Sequence, residues 1–476
     1  MWIVVIIIVL LIIALLSSSK RPLERKENYD DDFGDISELI SSRNDGIWIG
    51  DGKISRDLSF RHCCVIAPSG GGKTSTVLIP TALELDNCSA IILDPAGELF
   101  EKTSGEFERK GFTVKILDFT DPDVSIGFNP LLTANSSTEL NILGEALFAS
   151  AKKTSKDSFW PTMAARLVVL LFKIQKKLPK PQQTLANTLY LLNILQGDPR
   201  KIDQLFVKYA DDKLFAEYKA LVKHDQRLLS SILATAQSSL GIFDDEAIAL
   251  VTSKNTLDFK TLRNEKMALF IHIPVTDAKY LSFLAEIYFA QLFRFCMSHT
   301  VTEDVLNMFI IGDELGSLTI QGFPEAMANL RKYSVSITFA IQSKSQLIER
   351  YGKQDAETIY QNSYSKIIFG GMEIELAKEF EKRMGKWTFV NENGKEGVRE
   401  VMTASELVHL PEGSAFYVPG PNRPTILEMH PYYENSRMTR KANRPPAKVK
   451  GDAPKTVSYI EFPELKIVPK VQVVNG

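Results

Sequence analysis

The stretch "IAPSGGGKTST" (66–76) decides the fold of this chain. Val65 and Ile66 close an apolar run, three glycines follow, and then come Lys73, Thr74 and Ser75. A strand that breaks into glycines can wrap its backbone N–H groups around phosphate oxygens. The helix that follows aims its N-terminus at the same anion. The P-loop pattern asks for Gly, four residues, then Gly-Lys-Ser/Thr, and Gly72-Lys73-Thr74 supplies its C-terminal end. Ala67 stands where the first glycine is expected. This reading sets nucleotide phosphates against Pro68, Ser69, Gly70, Gly71, Gly72, Lys73, Thr74 and Ser75, with the Thr74 hydroxyl on Mg2+. The competing reading is a glycine-rich turn without a ligand, and the Lys-Thr pair at the correct offset argues against it.

A P-loop needs a distant partner, an acid at the end of a buried strand that holds magnesium. "MFIIGDEL" provides one: Asp313 follows four apolar residues and a glycine, and Glu314 comes next. Asp313 is expected to hold the metal, and Glu314 to orient and deprotonate the attacking water. A further apolar run, "VSITFAIQ" (335–342), ends in Gln342, whose amide can touch the γ-phosphate and report hydrolysis. Other short apolar runs read as buried strands: "HCCVIA" (62–67), "SAIILD" (89–94), "TVKILDF" (113–119), "MALFIHIP" (267–274) and "SKIIFGG" (365–371). Strands alternating with helical patterns imply a parallel sheet covered on both faces.

Between 131 and 255 the period is helical throughout, as in "WPTMAARLVVLLFKIQKK", which predicts an all-α insertion. The segment "TFVNENGKEGVREVM" reads as a hairpin closed by Asn393-Gly394. From 436 to 476 the chain is rich in Pro and Lys and is expected to be a flexible basic tail. The expected organisation is an anchor at 1–19, a linker at 20–46, nucleotide-binding parts at 47–130 and 256–435, and the insertion between them.

The 476 residues can hold two or three cores, and 44% hydrophobic with 24% charged residues is ordinary globular composition. A net charge of −2 argues against a surface that coats nucleic acid as a whole, while leaving room for a narrow basic channel. The four cysteines lack CxxC spacing and the six histidines are scattered, which argues against a disulfide framework or a zinc site. Residues 1–16 are apolar and 1–19 uncharged, enough to span a bilayer core, with no basic n-region before them. Lys20, Arg21, Arg25 and Lys26 follow and place the downstream body in the cytoplasm.

Taken in order, "APSGGGKTS" (67–75), "DPAGELF" (94–100), "GFNPL" (127–131), "DSFWPTMAARLV" (157–168), "DELGSL" (313–318), "IQSKSQLIERYG" (341–352) and "YSKIIFGG" (364–371) resemble the type IV secretion coupling proteins. "RPTILEMHPYYEN" (423–435) extends the resemblance, which covers roughly 47–435. The resemblance implies a RecA-like P-loop domain of α/β class, interrupted by an all-α substrate-recognition domain and preceded by one transmembrane helix in the inner membrane. It implies ATP and Mg2+ as cofactors and a ring, a homo-hexamer when assembled. Its partners would be single-stranded DNA with a relaxase, or an effector protein, and the channel components. In such a ring a neighbour's arginine acts on the γ-phosphate; Arg331 is the candidate, with Lys332 and Arg350 as rivals. Ala67, Ala96 in place of a frequent lysine, and a single apolar span depart from the family pattern.

Two other functions remain open at this point. One is a receptor that docks effector proteins and uses nucleotide as a switch. The other is a chromosome-segregation or packaging translocase of the same ATPase group, against which the helical insertion speaks.

Overall fold

The computed structural model describes Glu24–Arg25, 33–155, 157–223, 226–274, 276–299, 305–390 and 394–462. Nine strands form one sheet: β1 Cys63–Ile66, β2 Cys88–Leu93, β3 Thr113–Asp118, β4 Met267–His272, β5 Asn307–Gly312, β6 Val335–Ile341, β7 Ser365–Phe369, β8 Ser414–Pro419 and β9 Thr425–Glu428. Their spatial order is β9-β8-β7-β1-β6-β5-β2-β4-β3. The seven strands from β7 to β3 are parallel, and β8 and β9 extend the sheet antiparallel. The central strands β1, β2 and β6 are buried along their whole length, so they read as continuous apolar runs and not as alternations.

Alternate residues feed two cores. Cys63, Val65, Ala90 and Ile92 pack with Val77, Leu83, Leu99, Phe107 and Met438 on one face. Cys64, Ile66, Ile91 and Leu93 pack with Leu284, Phe289, Leu347, Ile359 and Phe380 on the other. This is the α/β architecture expected from the sequence. The strands β8 and β9 were not read in the sequence: β9 alternates half-buried with exposed residues, while β8, "SAFYVP" between Gly413 and Gly420, carries a strand signal that the reading missed.

Between β3 and β4 the described residues hold helices and no strand, the longest being Ser137–Thr154, Phe159–Gln175 and Gln226–Leu240. Their apolar faces join the core beneath the sheet: Leu143, Phe172, Leu189 and Phe206 belong to the same cluster as Leu117 and Ile271. The two chain crossings are fastened by the fully buried Asn129. Its amide donates to Gln183 O (2.8 Å) and Ser253 O (3.0 Å), and its side-chain oxygen caps Leu131 and Leu132. A Cβ at Gly127 would lie on the Lys254 carbonyl, which explains a glycine in "GFNPL".

Two expectations are corrected. Residues 436–462 are not a flexible tail. A helix, Ser436–Ala442, packs on the helix Glu98–Arg109, and an extended strap follows it across the molecule. Lys441 and Arg444 pair with the buried carboxylates Glu84 and Glu106 at 2.7 Å, Lys455 pairs with Asp123, and Gly451 N–H donates to Asp123 O. The basic composition is matched by acids of the body, which sequence periodicity cannot reveal. Residues 33–46 of the expected linker are likewise hydrogen-bonded to the body, Gly34 N–H to Pro424 O and Ser41 reciprocally with Lys53, with Ile36 and Ile40 on the apolar cluster.

The apolar stretch 1–19 lies outside the described residues; among those described no helix is long and apolar enough to cross a membrane. The hairpin pairs Lys386–Val390 with Glu396–Glu400, and Asn393 of its turn lies outside the described residues. Glu24–Arg25 adds a third strand against Val390 and Phe389.

Candidate nucleotide site

Because β1, β6, β5, β2 and β4 run parallel, Ala67, Gln342, Asp313, Asp94 and Ile273 all emerge at one edge. The P-loop leaves β1 there. Ala67 N–H donates to Ile341 O (3.1 Å), and Gly71 N–H donates to Pro68 O (3.0 Å), closing a tight turn. Gly70 and Gly72 have φ of 76° and 87°, a conformation that side chains with a Cβ resist. Lys73 is buried at 9% exposure. The helix opens with a π-turn over Thr74–Leu78 and continues as Ile79–Glu84, with Thr76 Oγ1 donating back to Gly72 O (2.8 Å).

Two sequence motifs separated by most of the domain meet at one contact. Thr74 Oγ1 donates to Asp313 Oδ2 at 2.9 Å. The other carboxylate oxygen, Oδ1, is shielded from solvent and has no hydrogen-bond partner. A buried acceptor left unmatched beside a threonine hydroxyl is a donor set that suits a hard divalent cation, which takes one carboxylate and completes its shell with water and phosphate. The residues therefore fit Mg2+.

The turn after β5 is sterically exacting. A Cβ at Gly312 would collide with the Leu315 side chain, and one at Gly316 with Ile341. Between them Glu314 takes φ 63°, ψ 20°, which is strained for a non-glycine residue and marks a position held by its surroundings.

The sequence reading missed a second carboxylate at this edge. Asp94, at the end of β2, accepts from Phe100 N–H (2.7 Å), and burial raises its pKa, with the Asp313 charge adding to the rise. Glu98 is raised by the same two causes in the same order. The signal was present in "LDPAGEL", an acid ending an apolar run before a turn. Gln342 is exposed at the end of β6, and its N–H donates to Gln346 Oε1 (2.9 Å), while Ser343 Oγ caps Gln346 N–H. "QSKSQ" is thus a helix-start device that fixes Gln342 beside the P-loop. Arg331 is not brought to this edge. It precedes β6, whose seven residues span roughly 23 Å, and its nearest carboxylate is Asp57 at 3.9 Å.

A family model described as "Type IV secretory system Conjugative DNA transfer" matches residues 22–451. The chain belongs to this family. Among curated relatives, VirD4 of Rhizobium radiobacter is 23% identical over 344 residues, 69% of this chain and 48% of that protein. TraG of Escherichia coli is 24% identical over 400 residues, 75% of this chain and 62% of that protein. The chain spans about half the length of the VirD4 relative that it matches. Among solved structures, plasmid coupling protein TrwB in complex with ADP and Mg2+ superimposes with a TM-score of 0.69 at 18% identity, over 90% of this chain and 98% of that one. TrwB in complex with sulphate gives 0.70 at 18% identity, over 91% and 99%. At such identity the likeness is one of fold.

Proposed function

We propose that this chain is a membrane-anchored ATPase that couples ATP hydrolysis to moving DNA, delivered with a relaxase, into a type IV secretion channel. The observation that carries the reading is the Thr74–Asp313 contact with its unmatched buried oxygen. TrwB, whose fold this chain shares, has been solved with ADP and Mg2+, which supports nucleotide and metal binding by this chain.

In this reading the backbone of Pro68–Ser75 cradles the phosphates and Lys73 contacts the β and γ oxygens. Thr74 and Asp313 hold Mg2+, which when bound neutralises phosphate charge. Glu314 accepts a proton from the water that attacks the γ-phosphorus, and ADP leaves with its β–γ bridging oxygen. Gln342 senses the γ-phosphate. The helical region 131–255 recognises substrate, and residues 1–19 tether the body to the inner membrane, C-terminal side in the cytoplasm. Arg331, remote from the P-loop of its own chain, acts on a neighbour's nucleotide in a ring of six.

The test is turnover of the full chain in detergent across a wide concentration range, with and without single-stranded DNA. Turnover per subunit rises with concentration and with DNA if the reading holds. Flat turnover with monomeric protein contradicts the ring, and stimulation by an effector protein but not by DNA contradicts the cargo.

A further inference from the structure

Glu314 holds φ 63°, ψ 20°, a conformation that persists only where its surroundings fix it. The Ser317 and Leu318 N–H groups bond within the turn, to Glu314 O (2.8 Å) and Leu315 O (3.2 Å). The next two N–H groups bond outside it, and both go to side chains. Thr319 N–H donates to Glu286 Oε1 at 2.7 Å, and Ile320 N–H donates to the Tyr351 hydroxyl oxygen at 3.0 Å. The nucleotide reading uses neither acceptor.

The two acceptors arrive on separate helices. Glu286 stands on Ala278–Ser298, whose Leu284 and Phe289 belong to the core beneath the sheet. Tyr351 stands on Lys344–Gln361, the helix that starts directly after Gln342 and Ser343. It is the last residue before that helix breaks at Gly352, with φ 78° and ψ 166°. Its ring lies 5.8 Å from that of the buried Phe323. The helix that begins beside Gln342 is thereby tied to the turn that carries Glu314.

Hydrogen bonds matter here because packing is one-sided. Leu318 and Ile320 are buried, but Thr319 is exposed. Residues 319–322 line a cavity of about 470 Å³ between this loop and the helix Ser137–Thr154 of the insertion. Burial raises the Glu286 pKa, and the Thr319 N–H together with the Arg350 and Lys153 charges pulls it back. A carboxylate and a neutral carboxyl can each accept from an amide, so the clamp holds in either protonation state.

We propose that Glu286 and Tyr351 are positioning residues for Glu314. Through Thr319 and Ile320 they fix the exit of the strained turn, and so the aim of the Glu314 carboxylate. They act through the backbone and not on the nucleotide. The role rests on the reading of Glu314 as the group that takes the water's proton. Misplacement of a reacting group by about 1 Å can cost on the order of a hundredfold in rate.

The test is steady-state turnover of the full chain, with equilibrium MgATP binding measured in parallel. Glu286→Ala and Tyr351→Phe should each lower kcat about tenfold or more, with the Kd of MgATP within about threefold of the parent. Glu286→Gln, whose amide oxygen still accepts from Thr319 N–H, should restore kcat to within about threefold and keep the parent's pH profile. Binding and turnover weakened together in all these variants would mark a general loss of structure and overturn the proposal. So would parental kcat in Glu286→Ala or Tyr351→Phe, or a Glu286→Gln protein no better than Glu286→Ala. A parent that binds MgATP without turning it over defeats the ATPase reading, and this role with it. An active parent beside an equally active Glu286→Ala defeats the role alone.

Discussion

Gly316→Ala should damage both stability and nucleotide affinity, although the methyl it adds meets Ile341 and not a group assigned to the ligand. A Cβ built there lies 2.0 Å from Ile341 Cγ2 and 3.4 Å from Ile341 Cβ. Carbon atoms in contact sit about 3.5–4.0 Å apart, so the isoleucine must retreat by roughly 1.5 Å or more. It has nowhere to go: Ile341 is 1% exposed on β6, between β1 and β5. Its carbonyl accepts from Ala67 N–H, so displacement of the strand end passes directly to the first residue of the P-loop. Overpacking of a filled core costs about 1–3 kcal/mol, and the immobility of β6 puts this case at the upper end. Ile341→Ala removes the colliding methyl and costs about 2–5 kcal/mol alone, so the double variant should fall short of the sum by about 1–3 kcal/mol. Ile341→Val keeps Cγ2 and should give no such relief. Urea unfolding read by tryptophan fluorescence, with nucleotide affinity measured in parallel, tests the cycle. Additive losses, or a Gly316→Ala protein that unfolds and binds like the parent, would refute the reasoning.

Asp313→Asn should lower affinity for MgATP by about tenfold or more while leaving the nucleotide-free protein as stable or slightly more so, because a carboxylate with one shielded oxygen that lacks a donor gives way to a neutral amide; a loss of apo stability in urea contradicts that account. His62 is neutral in the fold, its pKa pushed down to about 4 by burial, against 6.5 when exposed. The unfolded chain therefore takes a proton that the fold refuses, and stability falls as pH drops from 6.5 toward 4, by on the order of 3 kcal/mol in all. Asparagine tolerates the φ of 66° and can accept from Ile337 N–H, so His62→Asn should flatten that fall, seen as a smaller shift of urea midpoint between pH 7 and 5. Asn187→Ala removes the buried amide that donates to Ser458 O (2.8 Å) and accepts from Ile460 N–H (3.0 Å). Hydrogen exchange should quicken over 455–462 while 443–453, held by Glu106, Ser104 and Ser125, stays protected; uniform loosening of the strap contradicts this division.

The strand edge was legible because each of its parts is local. A glycine run after apolar residues, and an acid after another such run, each announce a strand end, and a parallel sheet brings all such ends to one side. Pairing of Thr74 with Asp313 needed only that topology. What the sequence hid depends on contacts distant along the chain. Lys441 and Arg444 look solvated until Glu84 and Glu106 are seen beneath them. Asp94 looks like a turn residue until β2 is found beside β5. Ile36 and Ile40 are too few to announce a packed segment, yet they dock the supposed linker.

The central claim, a P-loop that binds and an adjacent acid that cleaves, is tested most directly by comparing Lys73→Ala with Glu314→Gln in equilibrium MgATP binding and steady-state turnover. Lys73→Ala should lose both, because a direct charge contact with phosphate is gone. Glu314→Gln should bind MgATP within a few-fold of the parent yet lose most turnover, because an amide keeps the shape of the strained turn and cannot accept a proton. Equal loss of binding in the two variants, or retained turnover in Glu314→Gln, would contradict the account.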